Sequence, residues 1–219
     1  MVEKAGKPIL VAKLIGEEEW TVLKHLQGVT GVVSITRHDA LPDGNSHLVL
    51  MPWVGCSIDT YLYFTNNPTP DSRLVALSFL RALSRIHARR IAHLDLKPTN
   101  VRVGIDEDAD GVVNIIDFGH SAILDKDNFI EGEAGTRGWS APEVLSGEPY
   151  DAFLADIWSA GRVLVRYAYG PPNRADRRLE SLGREMQADE PSHRPTLSKV
   201  IRALELNAEE RERISSLSP

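Results

Sequence analysis

The chain has 219 residues, with 25 basic and 31 acidic side chains and a formal net charge of −6. Apolar residues make up 42% and charged residues 26%, which suits a folded globular chain and argues against disorder, while the acidic balance lacks the basic surface that nucleic-acid phosphates require. One cysteine, Cys56, leaves no internal disulfide framework, no apolar run approaches the about 20 residues that span a bilayer, and residues 1–10 lack the apolar stretch of a secretion signal. The expectation is a cytoplasmic protein with neither nucleic acid nor membrane as partner.

In chain order, the apolar run over 9–15 predicts a strand stopped by Gly16. Trp20, Leu23 and Leu26 at helical spacing, behind an acidic first turn, predict a helix over 17–27. Strands are expected over 32–36 and 47–51, with Pro42, Asp43, Gly44 and Asn45 turning the chain between them. Leu74, Leu77, Leu80 and Ile86 predict an amphipathic helix over 71–89 capped by Asp71. A hairpin follows, with strands over 100–103 and 112–116 around an acidic turn. The apolar stretch 151–169 predicts a central buried helix, 179–186 and 197–206 predict surface helices, and 209–219 reads as a frayed tail. Strands early and helices late point to an α+β fold.

The chemistry concentrates in His93-Leu94-Asp95-Leu96-Lys97-Pro98-Thr99-Asn100. Asp95, Lys97 and Asn100 offer a carboxylate, a cation and an amide oxygen within six residues, and Asp117 adds a carboxylate at the end of a strand. Oxygen donors suit Mg²⁺, a hard ion that keeps phosphates and water in its shell. A lysine can neutralise charge on a phosphate, and a carboxylate can take a hydroxyl proton and aim the nucleophile. These groups suit phosphoryl transfer, where positioning and electrostatics supply most of the catalysis.

The order of motifs resembles the eukaryotic protein kinase family, serine/threonine branch. Residues 93–100 are similar to the catalytic loop, and Asp117-Phe118-Gly119 to the metal-binding motif. Gly135-Thr136 through Ala141-Pro142-Glu143 resembles the end of the activation segment, and Asp156-Ile157-Trp158-Ser159 the start of the central helix. His193-Arg194-Pro195 resembles the late segment whose arginine pairs with Glu143. Val11-Ala12-Lys13 resembles the strand lysine that holds the α- and β-phosphates, with Glu19 its helix partner.

What the resemblance implies is a bilobal α+β fold in one domain over 1–219. The N-lobe and hinge occupy 1–54, with about three strands and one helix, and a mainly helical C-lobe occupies 55–219. It implies ATP and Mg²⁺ as cofactors and a protein Ser/Thr hydroxyl as acceptor. Asp95, Lys97 and Thr136 are the implied catalytic residues, Thr136 bracing the other two. Lys13, Glu19, Met51, Pro52, Val54 and Ser57 are the implied nucleotide contacts: Met51 as gatekeeper, Pro52 and Val54 through their backbone at the hinge, Ser57 toward the ribose. Asn100 and Asp117 are the implied metal ligands. Leu23, Ile35, His93 and Phe118 would stack between the lobes, and Asp156 would hold the catalytic-loop backbone.

Two departures carry weight. Twelve residues precede Lys13 and no G-x-G-x-x-G occurs, so the loop that covers the phosphates is not expected, and nucleotide binding should be weaker. Leu94 stands where the family often has a phosphate-binding arginine, and the segment 119–139 has only Ser121 and Thr136 as hydroxyl residues. Activity independent of activation-segment phosphorylation is the expectation. A pseudokinase scaffold that binds nucleotide without useful turnover is the alternative, and a small-molecule phosphotransferase is a third reading. Asp106 to Gly111 imitates a calcium loop but reads as a solvated turn between strands, Arg174, Arg177 and Arg178 as charged surface, and Cys56 as packing.

Overall fold

A computed structural model of the chain describes residues 9–64, 72–104, 112–169 and 176–216. The expected cap Asp71, the acidic turn at 106–111, Arg174 and residues 217–219 lie outside the described residues.

Strand β1 (Leu10–Gly16) leads directly into helix α1 (Glu17–His25), whose first turn carries three glutamates and whose last turn carries Lys24 and His25. Both ends therefore complement the helix dipole. Strands β2 (Arg37–Ala40) and β3 (Ser46–Pro52) complete an antiparallel sheet in the order β1-β3-β2. Asp43 shapes the turn before β3, its carboxylate accepting from the backbone N–H of Asn45 and of Ser46.

The strand expected over 32–36 is corrected: pairing with β3 begins at Thr36, whose N–H donates to Leu50 O at 2.7 Å, and the strand itself is Arg37–Ala40. Val32 and Val33 are buried in an irregular segment, with Val32 making a single parallel bridge to Ile115. An apolar run records burial, and burial here comes without sheet pairing.

Beyond the sheet come β4 (Cys56–Ser57), α2 (Ile58–Phe64) and α3 (Ser72–Ala88). Next are β5 (Ile91–Ala92), the 3₁₀ turn Pro98–Asn100, β6 (Val101–Val103) and β7 (Val113–Ile115), the last two forming the expected hairpin. Strands β8 (Ala122–Ile123), β9 (Phe129–Ile130) and β10 (Tyr150–Asp151) lead to α4 (Ala152–Ala168). Helices α5 (Arg177–Met186) and α6 (Leu197–Ser216) close the chain. The result is bilobal α+β: a small three-stranded sheet with α1 on one side, and a mostly helical lobe on the other.

The helical lobe is built around α3 and α4. Val75, Phe79, Leu80, Leu83 and Ile86 of α3 and Val163 and Leu164 of α4 are completely buried. Helix α5 is not a plain surface helix, because Leu179 and Met186 are buried too. It approaches α4 through two glycines: a Cβ on Gly161 would lie 2.6 Å from Gly183 O, and one on Gly183 2.7 Å from Gly161 O. The expected tail from 209 is likewise corrected, since α6 continues to Ser216. Ala208, Glu209, Glu210, Arg211, Glu212 and Arg213 are strong helix formers with no breaker among them. Among the described residues no helix is long and apolar enough to cross a membrane.

Candidate active site

Residues far apart in the chain meet where the two lobes face each other. Lys13, on β1, points its Nζ at Glu19 Oε1 of α1 (2.6 Å) and at Asp117 Oδ1 (2.7 Å), joining the sheet, its helix and the segment after β7. Burial alone would push the Lys13 ammonium down, but the two carboxylates outweigh it and hold it above the ordinary lysine value. Asp117 is the reciprocal case: partial burial opposes its charge, and the Lys13 ammonium prevails and holds the carboxyl below its ordinary value. Asp117 sits at φ 68°, a left-handed backbone for a non-glycine residue, the kind of local strain that accumulates at functional sites.

A cavity of about 240 Å³ opens beside this pair. Val11, Ala12, Leu23, Val33 and Met51 give it an apolar wall, and Lys13, Glu19, Asn100 and Asp117 supply its polar groups. Val33 was not among the expected contacts; its burial was legible, its direction was not. Pro52 and Val54 do not line the cavity. Ser57 is placed elsewhere: its hydroxyl accepts from Thr60 N–H and pairs with Thr60 Oγ1, capping the first turn of α2.

Asp95 lies next to the cavity rather than on it, and three side chains converge on its buried carboxylate. Thr136 Oγ1 donates to Oδ1 at 2.7 Å, Lys97 Nζ to Oδ2 at 2.7 Å, and Asn100 Nδ2 to Oδ2 at 3.2 Å. Lys97 also donates to Thr136 Oγ1 at 2.7 Å, and Asn100 Nδ2 to Asp95 backbone O at 2.9 Å. Asn100 is thus the link between the two clusters, with its amide N–H groups turned to Asp95 and its side chain on the cavity. Gly135 makes the approach of Thr136 feasible: its φ is +78°, and a Cβ there would stand 2.2 Å from Leu94 O.

The loop carrying Asp95 is held from beneath. Asp156, fully buried at the start of α4, accepts from the backbone N–H of His93 (2.7 Å) and of Leu94 (2.8 Å), and is paired with His87. His93 is itself completely buried, and its Nδ1 accepts from Asp95 N–H at 3.2 Å. Nε2 must then carry the ring proton, and it donates to Ile116 O at 3.0 Å. Burial pushes the imidazole pKa down, so the ring stays neutral and acts as a brace between the Asp95 and Asp117 segments. It also packs against Phe118, with Leu23 buried and Ile35 half-buried in the same core. Glu143 and Arg194 form a bidentate pair at 2.5 and 2.9 Å. Cys56 is half-buried and its thiol is pushed up by that burial, which suits packing rather than reactivity.

Comparison with known proteins agrees with this geometry. The description "Protein kinase domain" matches residues 15–215. CBL-interacting protein kinase 4 of Oryza sativa subsp. japonica is 33% identical over 159 residues, 69% of this chain and 34% of that protein. CBL-interacting serine/threonine-protein kinase 24 of Arabidopsis thaliana is 34% identical over 137 residues, 61% of this chain and 29% of that protein. Carbon catabolite-derepressing protein kinase of Candida glabrata is 30% identical over 131 residues, 59% of this chain and 21% of that protein. The chain belongs to the protein kinase domain family. It spans about a third or less of the length of these curated relatives.

Proposed function

We propose that this chain is an ATP-dependent protein kinase that transfers the γ-phosphoryl group to a protein Ser or Thr hydroxyl, without needing a phosphorylated activation segment. The observation that carries this reading is the Lys13 ammonium bonded at once to Glu19 and Asp117, beside a cavity that Asn100 ties to Asp95. Asp95 has about four acceptor positions on its two oxygens, and three are taken by Thr136, Lys97 and Asn100. The remaining one suits an incoming hydroxyl, whose proton Asp95 would accept. Lys97, already beside Asp95, would neutralise charge gathering on the transferred group.

The donor set fits a magnesium ion. Among the described residues no group of three or more His, Cys, Asp or Glu side chains is arranged for a metal. Mg²⁺ needs only one or two protein oxygens when phosphates and water complete its shell, and Asn100 and Asp117 offer two on one cavity. When bound, the ion would neutralise phosphate charge. Lys13 would hold the non-transferred phosphates, with Glu19 fixing its direction, and Met51 would pack against the base. The hinge backbone of Pro52 and Val54 would meet the adenine edge. Ser57 has a smaller claim on the ribose, since its hydroxyl caps α2.

A hydroxyl acceptor on protein rather than on a small molecule is supported by the Glu143–Arg194 pair and the segment it braces, and by the serine/threonine kinases among its relatives. Independence from phosphorylation is supported by Leu94, which is buried and apolar, and by the commitment of the hydroxyls between Gly119 and Glu143: Thr136 to Asp95, Ser121 to His93 O, and the buried Ser140 to Ala134 O. The scaffold reading keeps this fold and its cavity and differs only in turnover: among the described residues β1 is an outer strand of the sheet, and Lys13 on it is partly exposed.

The test is transfer of labelled γ-phosphate from ATP to a generic protein substrate, with Asp95→Asn and Asp117→Ala as controls. Transfer lost in both variants is the expected result. Nucleotide binding without transfer would establish the scaffold instead, and transfer only to small hydroxyl compounds would establish the third reading.

A further inference from the structure

Arg90 occupies a position that its backbone does not favour. It follows α3 with φ +59°, a left-handed conformation in which glycine or asparagine is at ease and a long side chain is not. Its guanidinium uses four of its five N–H groups on one short stretch of chain. Nε and Nη2 donate to Asp125 O at 3.1 and 2.5 Å, Nη2 also to Asp127 O at 2.8 Å, and Nη1 to Asn128 Oδ1 at 2.7 Å. Leu124 N–H returns a bond to Arg90 O at 2.7 Å. The guanidinium also lies over the Phe153 ring, 5.2 Å from its centroid.

The stretch it grips is the first half of the activation segment. Asn128 passes the grip onward, its Nδ2 donating to Asp151, the N-cap of α4, and its carbonyl accepting from Ala152 N–H at 2.9 Å. Strand β9 then pairs with β10 next door. A permanent cation therefore satisfies and fixes main-chain carbonyls that would otherwise need water, and does so whatever side chains occupy 125 and 127. A phosphorylated segment is ordered by a different route, its phosphate oxygens accepting charge-assisted bonds from arginine N–H groups.

We propose that Arg90 is the positioning residue that orders the activation segment of this chain, in place of an added phosphate, so that Thr136 is delivered to Asp95. This rests on the kinase reading above and names how that site is regulated: the segment is held constitutively. The side chain touches neither Asp95 nor the cavity residues, so it would act on the rate of transfer and not on the nucleotide.

Two variants test it. Arg90→Gly removes the fork while relieving the left-handed backbone, and Arg90→Lys keeps the charge but not the fork. Amide exchange over 122–136 and steady-state transfer to a protein substrate are measured on both. In Arg90→Gly, exchange over this segment is expected to rise at least about tenfold and kcat to fall by about the same factor, the scale of one lost charge-assisted bond. The KM for ATP is expected to stay within about twofold. Arg90→Lys should fall between the two proteins, and it carries the test if Arg90→Gly does not fold. Unchanged exchange over the segment, a loosened segment with undiminished kcat, or a KM for ATP that shifts in parallel would each overturn the proposal. If the wild-type chain transfers nothing while Asp95→Asn behaves identically, the kinase reading fails and with it the catalytic role of Arg90. The exchange result still decides whether Arg90 anchors the segment.

Discussion

The two halves of the candidate site are held together in different ways. On the helical side, the Asp95 carboxylate is 2% exposed and is bonded by three side chains, two from its own loop and Thr136 from farther along the chain, on a loop that a fully buried Asp156 holds by its backbone. On the sheet side, the Lys13 side chain is 34% exposed and Asp117 43%, and the arrangement rests on two ion pairs made by one flexible amine. The first half is buried and bonded by the chain's own groups. The second is partly solvated, so its ion pairs contribute little to stability and matter mainly for direction. On the proposed reading, positioning of the nucleophile would be built into the fold, whereas positioning of the phosphates would depend on a few side chains of a small sheet and the segment after β7.

That contrast can be broken by substitution, and the largest effect belongs on the buried side. Asp95→Asn should lower phosphoryl transfer by about 10³-fold while leaving nucleotide binding intact, because the asparagine keeps the shape and loses the proton acceptor. Steady-state kinetics beside a calorimetric binding measurement checks this, and a matching loss of affinity would speak against the separation of the halves.

Glu143→Ala should cost about 3 kcal/mol of folding stability, because the Arg194 side chain is 0% exposed and would be left as a buried charge without its carboxylate. Urea denaturation is the measurement. A loss under about 1 kcal/mol, the range of exposed pairs, would show that the pair behaves as a surface contact.

Lys13→Ala should lower kcat/KM for ATP by about 10²-fold, the loss that follows removal of one preorganised donor, with a melting temperature close to wild type. A melting temperature that dropped as far as that of Glu143→Ala would contradict the view that the sheet-side pairs serve direction rather than stability.

The smallest effect is a dependence on pH. His93 has its folded-state pKa lowered by burial, so below the unfolded value of about 6.5 the unfolded chain takes up a proton that the folded chain refuses. Stability should therefore fall as pH drops through about 6.5, with a slope of at most about 1.4 kcal/mol per pH unit from this group. Urea midpoints between pH 7.5 and 5.5 give the slope, and His93→Leu should flatten it. A slope unaltered in that variant would assign the effect to other groups.

Much of the site was legible because its chemistry is local: Asp95, Lys97 and Asn100 lie within six residues, and Asp117 ends a recognisable strand. Long amphipathic helices such as α3 and α4 were legible from their spacing. What stayed hidden depends on partners distant in the chain. The segment around Val32 and Val33 looks like a strand because burial and pairing share one apolar signature. Ser57 looks available until the helix that it caps is seen. Arg90 was unreadable for a stronger reason, since it bonds mostly to main-chain carbonyls, which every residue has and no side-chain pattern marks.

If both halves of the candidate site close on the same triphosphate, amide exchange with and without ATP and Mg²⁺ will register it in both at once. Nucleotide should slow exchange together in β1 around Lys13, in the loop 95–100 and in the segment 115–119. Protection confined to the sheet, or to the loop alone, would contradict a shared site.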